Sequence, residues 1–318
     1  MSRDICGRFA PTPSGRMHLG NLFCALIAWL SVRSAGGRAV LRIEDLDLRR
    51  CPEEAHNAGL LIDDLRWLGL DFDEGEGVGG PDAPYRQSRR FSLYAAALEK
   101  LEKLGLVYPC FCSRAELHAA EAPHLSDGRV LYAGTCRGLS PEEIRQKSRA
   151  RPPALRLRVP AERIAFRDRL CGNYSEDLAA ECGDFIIRRS DGVYAYQLAV
   201  VVDDAAMGVS EVVRGHDLLS STPRQLLLYR LLGLPAPAFC HLPLLVAPDG
   251  RRLSKRERDL DMGELRARYR GPEPLLGRLA ALCGLIEKEE PVTASELIPG
   301  FSWEKLKKED IAVPPGLF

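Results

Sequence analysis

The spacing of apolar residues predicts strands and helices in alternation over the first third of the chain. Residues 8–30 begin with a short strand, and a turn rich in proline, serine and glycine leads from it into an apolar helix. A second strand is predicted over residues 38–44. Leu61 and Leu65 then fall at helical spacing, and residues 89–109 predict a further amphipathic helix. Such alternation is typical of an α/β fold whose parallel sheet is covered by helices on both faces.

This alternation ends near residue 106 and returns farther along the chain. Residues 107–185 contain short apolar runs broken by prolines and cysteines, so we predict an inserted α+β module there. Strand and helix patterns resume over residues 186–258, which would complete the sheet domain begun by residues 1–106. Residues 259–318 predict a short C-terminal segment with two helices and a charged tail.

Composition limits the class of protein but does not point to a partner. Lys and Arg together number 44, as do Asp and Glu, so the net charge favours no particular ligand. The N-terminus lacks the apolar run of a signal peptide, and no stretch approaches the ~18 consecutive apolar residues of a membrane span. We therefore expect a cytoplasmic protein without membrane contact, whose cysteines are reduced or bound to metal.

Residues 11–21, PTPSGRMHLGN, follow the first strand and form a first candidate site. In an open parallel sheet, ligands bind beyond the carboxyl ends of the strands, where helix N-termini present unpaired N–H groups. His18 could donate to a phosphate there, and Gly20 would let a flat ring approach the backbone closely. A proline-rich turn capped by Ser14 is the alternative interpretation.

Residues 251–255, RRLSK, follow the last predicted strand and form a second candidate site. Lysine is a flexible point charge suited to phosphates, although the loop alone could be an ordinary basic turn. Together with the first site, it resembles the HIGH and KMSKS signature motifs of class I aminoacyl-tRNA synthetases. The matching residues are His18-Leu19-Gly20-Asn21 and Arg252-Leu253-Ser254-Lys255-Arg256.

The order of the remaining motifs narrows the resemblance. RFAPTPSG, LRIEDLD, YQLAVVVDD, EVVRGHDLL and RLSKR follow one another as they do in glutamyl-tRNA synthetases, and the similarity covers nearly the whole chain. This resemblance implies a Rossmann-type catalytic domain that condenses L-glutamate with ATP to glutamyl-adenylate and pyrophosphate. A magnesium ion is expected to accompany ATP, although the sequence indicates no protein-held magnesium site.

The resemblance also implies roles for individual residues. Arg8 and Arg214 would bind carboxylates of glutamate, Glu44 its ammonium group, and Tyr196 would form a wall of the pocket. The implied glutamate site comprises Arg8, Phe9, Ala10, Pro11, Thr12, Glu44, Tyr196 and Arg214. The implied ATP site comprises His18, Gly20, Asn21, Arg252, Leu253, Ser254 and Lys255, with His18 and Lys255 as the catalytic residues. Asn21 and Arg252 depart from the motif residues His and Lys, and Arg252 keeps the charge.

Three cysteines of the predicted insert form a third candidate site. Cys110 and Cys112 are followed by Cys136, and three thiolates suit a tetrahedral zinc site in a segment with little core of its own. From the residues alone the fourth ligand could be His118, His124 or Tyr132, and three unrelated reduced cysteines are equally compatible. The spacing resembles the glutamyl-queuosine tRNA(Asp) synthetase family, which implies one structural zinc bound by Cys110, Cys112, Tyr132 and Cys136.

That family supplies the functional expectation. Its members activate glutamate without tRNA and transfer it to the cyclopentenediol of queuosine, the wobble base at position 34 of tRNA(Asp). They also lack an anticodon-binding domain, as we expect here because the chain ends soon after Lys255. A truncated enzyme that charges the 3′ end of tRNA(Glu) and a non-catalytic glutamate- or tRNA-binding paralogue are the alternatives. We expect a monomer whose RNA contacts come from arginines of the insert and its border: Arg156, Arg158, Arg163, Arg167, Arg169, Arg188 and Arg189.

Overall fold

A computed structural model describes residues 5–47, 54–113, 116, 131–251, 253 and 260–318. Its strands are β1 (Cys6–Phe9), β2 (Arg38–Leu41), β3 (Glu74–Gly75), β4 (Val107–Cys110), β5 (Ala154–Leu157), β6 (Arg163–Asp168), β7 (Gly172–Asp177), β8 (Phe185–Arg188), β9 (Glu211–Gly215), β10 (Ala238–Leu242), β11 (Leu245–Val246) and β12 (Ile311–Ala312). Its α-helices are α1 (Leu19–Ser34), α2 (Glu54–Trp67), α3 (Phe91–Lys103), α4 (Pro141–Ala150), α5 (Leu178–Glu181), α6 (Tyr196–Ala206), α7 (Thr222–Leu232), α8 (Met262–Arg268) and α9 (Glu273–Cys283).

Five parallel strands form the central sheet, in the order β10-β9-β1-β2-β3. Strands β2 and β3 are therefore added in turn on one side of β1, and β9 and β10 are added later on its other side. The strand order reverses between β1 and β9. Open α/β sheets bind their ligands at such a reversal point. The predicted parallel α/β sheet is confirmed. The sequence pattern missed β3, because two residues are too few to show a strand period.

Two hydrophobic cores lie on the two faces of this sheet. Successive strand residues point to opposite faces, so Leu41 joins the core beneath α1 and α2 while Val40 joins the core of α3, α6 and α7. Helix α1 is buried around most of its circumference, which explains why its sequence is apolar rather than amphipathic. The central sheet is thus packed between two hydrophobic layers, which hold the ends of its strands in place.

The segment between β4 and β8 departs from the parallel pattern. β4, β5 and β8 form a separate antiparallel sheet, and β6 and β7 form an antiparallel hairpin. The domain limits stay a prediction. The pairing of β8 with β5 favours an end of the inserted module after Arg188 instead of after residue 185.

The C-terminal segment packs back onto the central domain. Its predicted helices correspond to α8 and α9, but the predicted charged tail contains β12, which pairs with β11. A backbone oxygen of Phe318 accepts a hydrogen bond from Arg268 at 2.6 Å, and the Phe318 side chain is buried. Within the described part of the chain, no helix is long and apolar enough to cross a membrane.

Two helical glycines give a matched test of this packing. A methyl group on Gly277 of α9 would lie 1.8 Å from the carbonyl oxygen of Glu290, whereas one on Gly59 of α2 would meet nothing within 4 Å. We expect Gly277→Ala to lower the free energy of unfolding by about 1–3 kcal/mol through overpacking. Gly59→Ala should raise it by about 0.5–1 kcal/mol through helix propensity. Denaturant unfolding measures both, and a stabilised Gly277→Ala would contradict the close packing of α9.

Candidate active site and cysteine cluster

A cavity of about 440 Å³ opens where the carboxyl ends of β1 and β9 meet. Residues from both strands line it, including Arg8 and Phe9 from β1 and Arg214 from β9. The turn between β1 and α1 forms another wall, which brings His18 at the start of α1 into the same space. The cavity therefore lies at the reversal point of the sheet.

Every described residue that the sequence assigned to the glutamate or ATP site lines this one cavity. They are Arg8, Phe9, Ala10, Pro11, Thr12, His18, Gly20, Asn21, Glu44, Tyr196, Arg214 and Leu253. Arg252, Ser254 and Lys255 lie outside the described residues. Leu253, which lies between Arg252 and Ser254, lines the cavity, and Asp261, six residues after Lys255, forms a β-bridge with His18.

Two buried arginines and a tyrosine form one end of the cavity. The Arg8 guanidinium lies 3.5 Å from the Asp204 carboxylate, and its Nη1 donates to the carbonyl oxygen of Val213 at 3.3 Å. Arg214 Nη1 donates to the Tyr196 hydroxyl at 3.4 Å. Burial raises the pKa of Tyr196, although the Arg214 charge opposes this. This end of the cavity presents two guanidinium groups, which suit a small carboxylate.

Glu44 contributes the opposite charge to the same end. Its carboxylate accepts a hydrogen bond from Arg42 Nη2 at 3.1 Å, and Arg42 is itself fully buried. Burial raises the pKa of Glu44, and the charges of Arg42 and Arg8 partly offset that effect. One carboxylate between guanidinium groups gives this pocket the charge pattern that an amino acid would need.

His18 caps the N-terminus of α1 together with Asn21. The His18 ring accepts the Gly20 N–H at Nδ1, 3.2 Å away, and Asn21 Oδ1 accepts the His18 backbone N–H at 3.2 Å. Because Nδ1 is an acceptor, the proton of the neutral ring is on Nε2. Asn21, the departure from the HIGH motif, thus completes a capping box at the cavity wall.

The three cysteines of the insert meet in space. Their sulfur atoms all lie within 4.8 Å of one another, and Cys112 and Cys136 Sγ are 3.6 Å apart. Cys110 Sγ and the Tyr132 hydroxyl are hydrogen-bonded at 3.5 Å, and the hydroxyl also accepts the backbone N–H of Cys136 at 2.8 Å. Three thiols and a phenol around one point form a donor set that could hold a metal ion. His118 and His124, the other fourth-ligand candidates, lie outside the described residues.

Arg156 borders this cluster, and its predicted contact with RNA is wrong. Its Nε donates to Cys110 Sγ at 3.2 Å, its Nη1 donates to the Asp184 carbonyl at 2.6 Å, and its guanidinium stacks 3.7 Å from the centre of the Tyr132 ring. Burial would raise the pKa of the Cys110 thiol, but hydrogen bonds from Tyr132 and Arg156 lower it below the usual value. A buried arginine therefore favours a thiolate at Cys110.

Two charged residues that lie behind the pocket were not among those predicted from the sequence. Arg42 and Asp204 belong to the quoted motifs LRIEDLD and YQLAVVVDD, yet neither was assigned a role. The available signal was their position, because a charged residue inside an apolar strand or helix needs a buried partner. Arg42 Nη1 donates to Asp204 at 2.6 Å, which joins β2 to α6.

Comparison with known proteins agrees with this geometry. The family model described as tRNA synthetases class I (E and Q), catalytic domain, matches residues 4–313. The chain belongs to this family. As a class I tRNA synthetase it is an enzyme of the ligase type, and the resemblance found in its motifs is confirmed.

Relatives of two kinds are found within this synthetase family. A protein of Symbiobacterium thermophilum named Glutamyl-Q tRNA(Asp) synthetase is 54% identical over 313 residues, 98% of this chain and 96% of its own length. One of Nitratidesulfovibrio vulgaris with the same name is 49% identical over the same shares of the two chains. Glutamate–tRNA ligase 1 of Halorhodospira halophila is 46% identical, over 92% of this chain and 62% of the ligase.

A solved structure shows the same fold in this synthetase family. It is a glutamate tRNA ligase from Elizabethkingia meningosepticum in complex with its amino acid, with a TM-score of 0.85 and 29% sequence identity. The match covers 99% of this chain and 68% of that one. The catalytic-domain fold predicted from the motifs is thereby confirmed.

The capping box of α1 can be tested through stability. Asn21→Ala removes the acceptor of the His18 backbone N–H, so we expect the free energy of unfolding to fall by about 0.5–2 kcal/mol. Asn21→Asp keeps an acceptor oxygen and places a negative charge at a helix N-terminus, so it should retain the wild-type stability. Denaturant unfolding measures both variants. An Asn21→Ala protein as stable as wild type would show that the cap does not support α1.

Proposed function

We propose that this synthetase activates L-glutamate with ATP in the absence of tRNA and transfers the glutamyl group to the cyclopentenediol of queuosine at position 34 of tRNA(Asp). The cavity is the observation that carries the proposal. It combines an amino-acid-like charge pattern from Arg8, Glu44 and Arg214 with the N-terminus of a long helix. The two relatives named Glutamyl-Q tRNA(Asp) synthetase, matched over almost their full length, support the choice of acceptor.

The buried end of the cavity would bind glutamate. Arg8 and Arg214 would each face a carboxylate, Glu44 would pair with the α-ammonium group, and Tyr196 would close the pocket. Phe9, Ala10, Pro11 and Thr12 continue from β1 along the cavity wall and would place backbone groups beside the substrate. These contacts would direct the α-carboxylate towards His18.

ATP would bind along the turn and the start of α1. Gly20 and Asn21 lie at the N-terminus of α1, where the positive end of the helix dipole favours phosphate oxygens. The α-carboxylate oxygen attacks the α-phosphorus, the bond from that phosphorus to the bridging oxygen breaks, and pyrophosphate leaves. His18 Nε2–H and the Lys255 ammonium would stabilise the charge that develops, with Arg252, Leu253 and Ser254 holding the loop at the phosphates. A magnesium ion would enter with ATP as part of the substrate.

The second step needs no covalent intermediate with the protein. A hydroxyl of the cyclopentenediol attacks the activated carbonyl carbon, the bond to the AMP oxygen breaks, and an ester forms as AMP leaves. The hydroxyl proton is released to solvent. Among the predicted RNA contacts, Arg163 and Arg167 are exposed on β6 and stay candidates. Arg169 and Arg189 form ion pairs with Glu211 and Asp47, and Arg158 and Arg188 stack on tyrosines.

The cysteine cluster would bind one structural zinc ion through Cys110, Cys112, Tyr132 and Cys136. The compact arrangement of three sulfur atoms and a phenol supports this ligand set. Zinc bound there would join β4 to the segment around residues 132–136. The buried Arg156 guanidinium would balance the excess negative charge of thiolate ligands.

Glutamate activation is tested by exchange of labelled pyrophosphate into ATP. We expect glutamate-dependent exchange without tRNA, because the groups proposed to bind glutamate and ATP all belong to the protein. His18→Ala should reduce the rate on the order of a hundredfold or more, since one preorganised donor to developing charge is lost. His56→Ala, an exposed histidine on α2, is the matched control and should leave the rate unchanged. A protein without exchange would be the non-catalytic paralogue.

The acceptor is tested with labelled glutamate and purified tRNA. We expect label on tRNA(Asp) that carries queuosine and none on tRNA(Asp) with an unmodified guanosine. Removal of the 3′-terminal adenosine should leave the transfer intact, because the ester would form in the anticodon loop. Transfer to tRNA(Glu) that is lost with the terminal adenosine would identify a 3′-charging enzyme instead.

Zinc binding is tested by metal analysis of the purified protein. We expect about one zinc ion per chain in the wild type, as in closed structural sites. Cys136→Ser should lower the zinc content and the melting temperature, because a ligand shared by two segments is lost. Cys171→Ser changes an exposed cysteine outside the cluster and should do neither. Unchanged zinc in Cys136→Ser would refute the assigned ligand set.

A further inference from the structure

The Arg214 guanidinium is held by groups behind the pocket. Its Nε donates to His241 Nε2 at 3.0 Å, and its Nη2 donates to Thr222 Oγ1 at 2.8 Å. These two nitrogens form one edge of the guanidinium plane, while Nη1 points to Tyr196 on the cavity wall. One edge is therefore anchored in the protein, and the group keeps a fixed orientation towards the cavity.

The contact with Arg214 determines the tautomer of His241. An arginine has only N–H donors, so His241 Nε2 must accept and its proton must be on Nδ1. On the other side of the ring, His241 Nδ1 lies 2.6 Å from Asp168 Oδ2, so the carboxylate accepts a hydrogen bond from the Nδ1–H group. Asp168 and His241 are both 1% exposed. Burial lowers the pKa of His241, which agrees with a neutral ring beside a guanidinium.

Asp168 comes from outside the two strands that build the pocket. It ends β6, whose hairpin with β7 packs against β10, the edge strand of the parallel sheet that carries His241. The Arg169 N–H donates to the Phe239 carbonyl oxygen at 3.0 Å, which fixes this hairpin on β10. Asp168 of the hairpin is thus connected to Arg214 of the pocket by two hydrogen bonds through the His241 ring.

We propose that Asp168 and His241 are positioning residues for Arg214, and that Asp168 does this by holding His241 in the Nδ1–H tautomer. The inference deepens the proposed function, since it names what orients the arginine expected to bind a glutamate carboxylate. Neither residue lines the cavity. Loss of the pair would weaken recognition of glutamate while leaving the ATP end of the cavity in place.

The different contacts of the two Asp168 oxygens determine how an asparagine amide would be oriented at this position. Oδ1 accepts three backbone N–H groups, from Leu170 at 3.0 Å, Cys171 at 2.9 Å and His241 at 3.2 Å. In Asp168→Asn the amide oxygen must occupy this position, so the NH₂ group would face His241 Nδ1. The ring would then accept at Nδ1 and carry its proton on Nε2. Its N–H would oppose the N–H of Arg214, although the side chain at position 168 keeps its size and shape.

The kinetic test compares Asp168→Asn with Glu162→Gln in pyrophosphate exchange. Glu162 precedes the same hairpin and forms an exposed ion pair with Arg230, so its change to an amide is the matched control. We expect Asp168→Asn to raise KM for glutamate on the order of tenfold to a hundredfold, because a hydrogen bond to a charged group is lost. KM for ATP should stay near its wild-type value. The proposal would be overturned if Asp168→Asn changed KM for glutamate and KM for ATP equally. It would also be overturned if KM for glutamate in Asp168→Asn equalled that in Glu162→Gln.

Rescue separates positioning from general stability. In His241→Gln the amide oxygen can accept the Arg214 hydrogen bond with either Asp or Asn at position 168. KM for glutamate should therefore stay close to that of wild type. Adding Asp168→Asn to His241→Gln should then have little further effect. His241→Phe, which has no acceptor, should raise KM for glutamate as Asp168→Asn does. Equal effects of Gln and Phe at this position would show that only packing matters.

A spectroscopic measurement tests the tautomer without relying on activity. Nitrogen-15 shifts of labelled histidine distinguish Nδ1–H from Nε2–H rings, and the His241→Gln spectrum identifies the His241 signals. We expect Nδ1–H in the wild type and Nε2–H in Asp168→Asn. An Nε2–H or doubly protonated His241 in the wild type at neutral pH would refute the inference even if Asp168→Asn failed to fold. Absence of exchange in the wild type would instead reject the proposed function alone.

Discussion

The buried charge of Arg42 is the constraint on which the rest of the site depends. The side chain is completely buried on the extension of β2, and it pairs with Asp204 at 2.6 Å and Glu44 at 3.1 Å. Asp204 in turn lies 3.5 Å from Arg8 on β1. Removing one partner of such a buried group costs on the order of 3–5 kcal/mol, so β1, β2 and α6 are held in one relative position. Arg8, Glu44 and Tyr196 are oriented as a consequence.

A second buried network orients Arg214 at the same end of the cavity. Asp168, His241 and Thr222 orient Arg214, and they come from β6, β10 and the start of α7. Side chains held in this way lose little freedom when a ligand binds, which lowers the cost of recognition. The pocket is therefore built by buried partners as much as by the residues that face the ligand. The β6–β7 hairpin is a structural part of the pocket through Asp168.

Part of the site was accessible from sequence because the relevant residues fall within short motifs at the ends of predicted strands. Arg8, Glu44 and Arg214 each follow or end an apolar run, and strand ends of a parallel sheet meet at one edge. Asn21 shows the limit of this reasoning. Its motif position marked it as a departure, but its role as a helix cap follows from a hydrogen bond to the His18 backbone. Arg156 shows another limit, since its basic character indicated RNA while its buried position beside Cys110 indicates the cysteine cluster.

The alternation of strands and helices, the parallel sheet and the family could be predicted from the chain alone, because periodicity and motif order are local properties. The packing of distant elements determines which buried polar groups pair with one another. The pairs Arg42–Asp204 and Asp168–His241 are 162 and 73 residues apart along the chain. Their sequence neighbours do not reveal such partners, because a buried charge is stabilised by whichever element packs against it. Periodicity reports that a position is buried, and the packing of distant elements decides what it is buried against.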